Sequence, residues 1–179
     1  MVIAYEDLGT PDGQEDNMGG TKQKIFFAPI RDFLAIQVPN PAAVTPGAKV
    51  EIATAHTFVV GKCWNQLYCT LDKGSVEFNV QGERDGHSFG QLAKIFHPGA
   101  KKEAIGFASL VKNDQMLVLV PLADGTMIQI GSADFYAQFK PKFNSGTNSG
   151  GVRGHEFEIS SMAPVNYVYT STVSLVPAV

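Results

Sequence analysis

The chain has 179 residues, of which 44% are hydrophobic and 17% are charged, and 17 acidic and 14 basic side chains give a formal net charge of −3. This length and hydrophobicity indicate one domain, or at most two small ones, and exclude disorder for most of the chain. The small negative charge excludes a protein that binds nucleic acid by neutralising many phosphates. No apolar run reaches the roughly 20 residues of a membrane span, and no secretion signal is recognisable. We therefore expect a soluble protein made inside a cell.

Residues 1–21 form a distinct acidic arm. This segment has a formal charge of −5, whereas 12 acidic and 14 basic residues give residues 22–179 a formal charge of +2. Its glycines and few apolar side chains cannot form a core, so it is either solvated or ordered against a partner. We predict an arm over 1–21 that becomes ordered on assembly and a single β-rich domain over 22–179. The acidic residues of the arm are Glu6, Asp7, Asp12, Glu15 and Asp16.

From residue 22 onward the sequence has the β-branched, aromatic and alternating patterns that are typical of strands. We predict strands at 24–30, 32–38, 49–54, 66–71, 75–81 and 87–97. The strand at 75–81 has strict period two, with Val76, Phe78 and Val80 on one face. Between the second and third strands, the segment 39–47 contains three prolines that prevent regular pairing and indicate a long, fairly stiff loop. These prolines are Pro39, Pro41 and Pro46.

One segment, 101–112, has the periodicity of a helix. Its apolar positions are Ala104, Ile105, Phe107, Ala108, Leu110 and Val111. They cover well over half of the circumference, whereas a surface helix needs an apolar arc of only about 100°. We therefore expect this helix to be covered by its own sheet and, on a further side, by another subunit.

Two hairpins are predicted in the second half of the chain. In the first, strands 116–122 and 126–130 flank Asp124-Gly125, a strong two-residue turn signal. The second joins strands 135–143 and 155–162 through the flexible loop 144–154. The predicted registers pair Leu122 with Met127, Leu119 with Ile130, Phe139 with Ile159, Phe143 with His155, Lys140 with Glu158 and Lys142 with Glu156. The second hairpin then has one charge-complementary face and one apolar face, which supports its register.

The last 21 residues, 159–179, contain no charged side chain. Val165, Tyr167 and Tyr169 alternate with other residues in the manner of a strand. An uncharged strand at a chain terminus invites aggregation unless it is paired or covered. This segment is therefore expected either as a central strand of the domain or as a strand that pairs with a neighbouring molecule.

Cysteine and histidine spacing gives no sign of a disulfide or a metal site. Cys63 and Cys69 are separated by a stretch with strand character, and six extended residues span about 20 Å, too far for a disulfide without a turn. Free thiols are the better interpretation. Metal-binding histidines usually come in close pairs, but the four histidines are all at least ten positions apart. They are His56, His87, His97 and His155.

The sequence contains no recognisable catalytic motif. Asp85, His87 and Ser88 lie close together, but adjacent residues of an extended chain point to opposite faces and cannot form a triad. The glycine-rich segment 146–154 lacks the Lys-Ser/Thr pair of a phosphate-binding loop and leads into a strand. We therefore expect a protein that is not an enzyme, with no catalytic residues, no cofactor and no metal.

The features that remain favour self-assembly: an acidic arm, long loops, uncharged strand edges and an over-wide apolar helix. Over about residues 22–176, the order of segments and several short phrases resemble the major tail tube protein family of tailed bacteriophages. The phrases are Lys24-Ile-Phe-Phe-Ala-Pro-Ile-Arg-Asp32, Leu67-Tyr-Cys-Thr-Leu-Asp-Lys-Gly-Ser75, Ile95-Phe-His-Pro-Gly99, Val120-Pro-Leu-Ala-Asp-Gly125 and Gly146-Thr-Asn-Ser-Gly-Gly-Val-Arg-Gly154.

The resemblance implies an antiparallel β-sandwich or partly closed barrel with one flanking helix at about 100–112. It also implies that subunits form rings, usually hexameric, whose inner strands surround a lumen, and that the rings stack into the tube that delivers the genome. In the family, the N-terminal arm and a long loop contact the next ring. Carried onto this chain, the candidate ring-stacking residues are Glu6, Asp7, Asp12, Glu15, Asp16, Pro39, Pro41 and Pro46.

The partners implied by the resemblance are copies of the chain itself, the tail tape-measure, tail-terminator and baseplate proteins, and a sheath if the tail is contractile. DNA would be present only transiently in the lumen, so the lumen face should be acidic or neutral; the Lys140 and Lys142 face would need Glu156 and Glu158 to neutralise it. No membrane is involved, and the protein would be assembled in the host cytoplasm and located in the virion tail.

Three alternatives remain open. The first is another virion component, such as a tail-end, terminator or head-decoration protein with similar β composition. The second is a carbohydrate-binding β-sandwich module, although a single tryptophan, Trp64, and five tyrosines supply few aromatic faces for sugars. The third is a hydrolase whose site is assembled from distant residues.

Overall fold

The structure, a computed structural model, describes residues 3–10, 13 and 17–179. Their regular elements are mainly strands. The strands are β1 (Lys24–Pro29), β2 (Phe33–Ala35), β3 (Glu51–Ile52), β4 (Thr57–Phe58), β5 (Asn65–Tyr68), β6 (Ser75–Gln81), β7 (Ser88–Pro98), β8 (Met116–Pro121), β9 (Met127–Ile130), β10 (Gln138–Asn144), β11 (Gly154–Ala163) and β12 (Tyr167–Tyr169). The helices are α1 (Pro46–Val50) and α2 (Lys102–Val111), with a 3₁₀ turn at Ile30–Asp32.

Two sheets stack as a sandwich. One is six-stranded, in the order β3-β12-β9-β8-β1-β5, and the other is four-stranded, in the order β10-β11-β7-β6. Strands β2 and β4 form a separate two-stranded sheet. The four-stranded sheet is antiparallel throughout. The predicted fold class is confirmed: the protein is mainly β and sandwich-like, and its sheets do not close into a barrel.

The first core lies between the two large sheets. Apolar residues from one face of β7, β10 and β11 meet residues from β1, β8 and β9 there. Helix α2 closes this core at one side, where Phe107 packs between Phe27, Phe139 and Phe157 at ring-centroid distances of 5.1, 6.1 and 5.5 Å. Edge-to-face packing of this kind adds to the stabilisation that area burial provides.

The second core lies on the other face of the six-stranded sheet. It is covered by the β2–β4 sheet and by the C-terminal tail, which bonds to the segment before β5 through Ala178 N–H to the Lys62 carbonyl at 2.9 Å. Trp64 and Phe58 are buried in this core. Because it has a core on each face, the six-stranded sheet is the middle layer, and every residue of β8 is buried.

Helix α2 confirms the helix predicted at 101–112. Part of its apolar arc packs against the first core, as expected. The residues that face inward are Ala104, Phe107, Ala108 and Val111. Ile105 and Leu110 widen the arc beyond what the domain covers, and Leu110 is 67% exposed. Ile105 and Leu110 are about 140° apart around the helix, on opposite flanks of the inward-facing residues, so each flank carries one exposed apolar side chain.

The strand predicted at 49–54 is partly wrong, because the chain forms helix α1 up to Val50 and only then enters β3. Pro46 occupies the first turn of α1, where its missing N–H costs nothing, and the Thr45 side chain accepts a bond of 3.4 Å from the Ala48 N–H. The Thr-Pro pair is a helix-start signal inside the loop that the prolines otherwise indicate. Of the strand predicted at 32–38, only Phe33–Ala35 forms.

The predicted register of the first hairpin is wrong by one residue. Met127 pairs with Pro121 and Ile130 pairs with Val118. The loop has three residues, because the Gly125 N–H bonds to the Leu122 carbonyl at 3.1 Å and Gly125 adopts a positive φ of 101°. A type I turn followed by a left-handed glycine is the usual three-residue hairpin, and its extra residue shifts the pairing by one.

The predicted register of the second hairpin is confirmed at every pair. Lys140 lies opposite Glu158, Lys142 opposite Glu156, Phe139 opposite Ile159, and Phe143 opposite His155. The C-terminal strand β12 is internal, since it lies between β3 and β9. Of the two expectations for this segment, the structure therefore supports the strand within the domain.

Candidate functional site

The four-stranded sheet has one covered face and one open face. Its odd-numbered residues on β7, β10 and β11, such as Ile95, Phe139 and Phe157, face the first core. The other residues face outward, and we call this surface the open face. Its members are Ser75, Glu77, Asn79 and Gln81 on β6; Ser88, Gly90, Leu92, Lys94, Phe96 and Pro98 on β7; Gln138, Lys140, Lys142 and Asn144 on β10; and Gly154, Glu156, Glu158, Ser160 and Met162 on β11.

Charges on the open face alternate from strand to strand. Across the sheet, Lys140 on β10 lies opposite Glu158 on β11, which lies opposite Lys94 on β7. The Lys140 ammonium is 3.5 Å from a Glu158 carboxylate oxygen. The open face holds three lysines and three glutamates, so its formal charge is zero. The four charged side chains predicted to pair across β10 and β11 are thus brought together, and Glu77 and Lys94 extend the pattern.

The two outer strands of this sheet, β10 and β6, are free edges. Within the described residues neither strand pairs with a second strand on its outer side. A free edge presents unpaired N–H and C=O groups that invite pairing with another chain. Val80 lies on the core side of β6, yet it is 62% exposed because no strand follows it. The edge strands therefore have backbone N–H and C=O groups without a strand partner, and the β6 edge leaves an apolar side chain exposed.

The flank of α2 that carries Ile105 continues the β10 edge. A groove of about 300 Å³ between α2 and β10 is lined by Ile105, Pro141, Phe143 and His155, among others. His155 is buried, and its Nδ1 has no hydrogen-bond partner in the described part of the chain. Burial, followed by the nearby His97, lowers the pKa of His155. The groove thus combines apolar walls with an unpaired imidazole nitrogen.

The candidate ring-stacking residues are only partly brought together. The Glu6 carboxylate accepts a bond of 3.0 Å from the Gly47 N–H, which joins the arm to the end of the proline loop. Asp7 and Pro41 are exposed, and Pro39 and Pro46 are half-buried. Three further candidates lie outside the described residues: Asp12, Glu15 and Asp16.

A chain of buried polar groups links the two large sheets, and sequence reasoning missed it. The Gln37 N–H donates to His56 Nδ1 at 2.9 Å, so His56 carries its proton on Nε2, which donates to Gln129 Oε1 at 2.8 Å. Gln129 Nε2 donates to the Gly131 carbonyl at 3.1 Å, and the Gly131 N–H donates to Gln91 Oε1 at 3.2 Å. The available signal was a polar residue within an apolar strand, Met-Ile-Gln-Ile at β9. Such networks favour one unique arrangement of a core.

This network predicts a loss of stability in acid. Burial lowers the pKa of His56 from its usual 6.5, so the folded state holds the neutral ring while the unfolded chain takes up a proton. The contribution of His56 is fully present above pH 6.5 and is lost as the pH falls below that value. In chemical denaturation at a series of pH values, we expect the wild type to lose more stability on acidification than His56→Gln.

The matched control is His87→Gln, since His87 is exposed. It should follow the wild-type pH profile. If the stability of His56→Gln changed with pH in the same way as that of the wild type, the pKa of His56 would be the same in the folded and unfolded states, which would contradict this prediction.

A second groove, of about 530 Å³, lies at one end of the open face. Amide and hydroxyl side chains, with the aromatic rings of Phe135 and Tyr136, dominate its lining, and Asp134 is its one carboxylate. Gln91 also lines it, and Gln91 Nε2 is buried without a partner among the described residues. The groove offers mainly neutral hydrogen-bonding groups, and among the described residues the Ser161 hydroxyl bonds to backbone carbonyls and not to Asp134.

Thiols and potential metal ligands are dispersed. Cys63 is half-buried and Cys69 is buried, and both are free, as the sequence favoured. Burial raises the pKa of the Cys69 thiol to about 12, which leaves it unreactive as a nucleophile. In the residues that the structure describes, no group of three His, Cys, Asp or Glu side chains has the arrangement of a metal site. The described helices are also too short or too polar to cross a membrane.

Comparisons of the chain with protein-family models, with curated proteins and with solved structures give no match.

Proposed function

We propose that this protein is the repeating subunit of a phage tail tube, which assembles into stacked rings around a central lumen. The observation that carries the proposal is the four-stranded sheet, which among the described residues is free at both edges and has one apolar and one neutral polar face. The sequence resemblance to major tail tube proteins supports the same role.

Strand direction allows the sheet to continue from one copy to the next. The four strands alternate in direction, so β10 and β6 run in opposite directions. If copies are related by rotation, β6 of one copy lies antiparallel to β10 of its neighbour, and the alternation continues without interruption. This contact joins two different surfaces, and such contacts generate closed rings when the rotation closes.

Charges at the two edges are complementary. On the open face, β10 carries Lys140 and Lys142, whereas the charged residue of β6 is Glu77. Joining the edges would extend the alternation of positive and negative strands around the ring. Complementary charges of this kind select the orientation of an interface more than they strengthen it.

Both edges also carry exposed apolar side chains on the core side of the sheet. They are Val80 on β6 and Phe143 on β10, with Ile105 of α2 lining the groove beside Phe143. In a sheet continued without stagger, Val80 of one copy lies level with the start of β10 of its neighbour, and Phe143 lies toward the other end of that strand. Covering these side chains would supply the hydrophobic contribution that an edge-to-edge hydrogen-bonded contact lacks.

The neutral open face suits the wall of a lumen. With three lysines balanced by three glutamates, it would neither bind the phosphate backbone strongly nor repel it strongly. A genome passing through the tube would then slide past the wall. The further partners that we propose are the tape-measure, tail-terminator and baseplate proteins and, for a contractile tail, a sheath, with the protein located in the virion tail.

Among the alternatives, the carbohydrate-binding module is disfavoured by Trp64. This side chain is 2% exposed and lies in the second core against Phe58 and Phe33, so it offers no face to a sugar. Another virion component remains compatible with the same sheet.

Negative-stain electron microscopy of the purified chain, with light scattering on the same sample, tests the proposal. We expect rings or short tubes with a central hole and a mass that rises with concentration in steps of whole rings. A chain that stays monomeric across the accessible concentrations, or that forms solid fibres without a hole, would contradict the proposed role.

A further inference from the structure

The groove of about 530 Å³ at one end of the open face is built mainly from neutral side chains that form hydrogen bonds. Its amides and hydroxyls come from three strands, β6, β10 and β11. Among them are Asn79, Gln81, Gln138, Ser160 and Ser161. Because amides and hydroxyls both donate and accept, the groove can bond to a ligand's donors and acceptors alike. We call it the amide groove.

The floor of the amide groove is a gap in the surface of the sheet. Gly90 on β7 lies in register between Asn79 on β6 and Met162 on β11. Since Gly90 has no side chain, it leaves room between these two neighbours. A Cβ at this position would lie only 2.9 Å from Gln81 Oε1, so the gap depends on glycine. The resulting volume is within the range of small-ligand sites.

Aromatic rings form part of the groove wall. They belong to Phe135 and Tyr136, on the loop before β10, and Phe135 is 53% exposed. Two bonds hold this loop: the Ser132 N–H donates to the Phe135 carbonyl at 2.8 Å, and the Ser161 hydroxyl donates to the same carbonyl at 3.0 Å. A ring carried by a fixed backbone loses little conformational freedom when it binds a ligand.

The charge of the lining is negative and small. Asp134 is exposed, and it is in no ion pair with a described residue. Its carboxylate can accept hydrogen bonds from hydroxyl groups of a ligand, and such charge-assisted bonds are the stronger kind. No described residue of the lining is basic. An anionic ligand would therefore meet repulsion from Asp134 without a compensating positive charge.

We propose that the amide groove binds a neutral saccharide, with the C–H face of a sugar ring against Phe135 and its hydroxyl groups bonded to the amides and to Asp134. A sugar ring has hydroxyls that donate and accept around its edge, and an apolar face that suits an aromatic ring. Trp64 is not part of this groove. The inference goes beyond the proposed self-assembly and does not depend on it, because every lining residue belongs to the same chain.

Nuclear magnetic resonance of the methionine methyl groups in the full chain tests the site. Met162 lines the groove and is 61% exposed, whereas Met18 is 71% exposed and lies outside the lining. We titrate with the methyl glycosides of glucose, galactose and mannose up to about 10 mM, which detects millimolar dissociation constants. We expect a saturable shift of the Met162 signal with at least one sugar and no shift of the Met18 signal. The corresponding uronic acid should bind more weakly than its neutral sugar.

Substitutions at the groove provide the second measurement. Phe135→Ala should raise the dissociation constant about tenfold, and Asp134→Asn should remove the preference for the neutral sugar over its uronic acid. The matched control is Phe143→Ala, since Phe143 is 48% exposed on β10 but outside the groove lining, and it should bind like the wild type. Thermal unfolding checks that each variant is folded.

Three results would overturn the inference. The first is an unchanged Met162 signal with all three sugars, and the second is equal binding of a sugar and its uronic acid to the wild type. The third is equal affinity of Phe135→Ala and Phe143→Ala for the sugar. None of these results bears on ring formation, which electron microscopy measures separately.

Discussion

Replacing Phe157 with alanine is expected to lower the free energy of unfolding by about 3–5 kcal/mol. The side chain is fully buried at the centre of the first core. Its ring is 5.5 Å from that of Phe107 on α2 and 6.1 Å from that of Phe139 on β10. Removing it leaves a cavity where the helix meets the four-stranded sheet, and both would lose their packing. Chemical denaturation of the monomeric chain, followed by tryptophan fluorescence, measures the change.

Phe143→Ala is the matched control, since Phe143 is on the same hairpin but 48% exposed. It should cost no more than about 1 kcal/mol, which is usual for surface positions. If the two substitutions had equal effects, the first core would not be organised around Phe157.

Replacing Val80 with lysine is expected to abolish ring formation and leave the single chain folded. Val80 is on the core side of the free edge strand β6 and is 62% exposed in the single chain, so the charged group reaches water there. In the proposed ring the same position is enclosed against the start of β10 of the neighbour. An inward-pointing lysine on an edge strand is a device that proteins use to prevent edge pairing, because burying the unpaired charge is costly.

The measurement is the mass distribution by light scattering, with thermal unfolding as the check on folding. Val176→Lys is the control, since Val176 is 74% exposed in the C-terminal tail. It should assemble like the wild type. Rings formed equally well by Val80→Lys would exclude β6 from the contact between subunits.

How much of the fold could be predicted from the sequence depended on how many independent constraints acted on each element. The β10–β11 register was predicted correctly because charge pairing on one face and apolar pairing on the other both select it, as at Lys140 and Phe139. The β8–β9 register was predicted wrongly, because β8 is buried on both faces and its side chains favour neither register. The choice then depended on loop length alone, and the left-handed Gly125 adds one residue to that loop.

The candidate site shows the same limit. The lysine and glutamate pairs of β10 and β11 were recognised, since they are local to one hairpin. That β6 and β10 stand at the two edges of one sheet depends on the order of strands, which no local pattern specifies. The buried network also depends on distant contacts: His56 and Gln129 are 73 positions apart, and Gly131 and Gln91 are 40 apart. A polar residue in an apolar strand, such as Gln129, is a signal of a buried bond that the sequence analysis did not use, and it does not identify the partner.

The arm shows what composition predicts and what it leaves open. Its charge and glycines predict a segment that forms no core; in the described part of the arm, Tyr5 and Leu8 are exposed. The bond between Glu6 and the Gly47 N–H was not predictable, because α1 itself was assigned to a loop and a strand.

Cryo-electron microscopy of the assembled chain, at a resolution that separates neighbouring strands, tests the central claim most directly. We predict a ring in which the open face lines the hole and β6 of each subunit lies antiparallel to β10 of the next, with Val80 covered at the start of that β10. A ring whose hole is lined by another surface, or subunits joined through the β3 or β5 edge, would contradict this account.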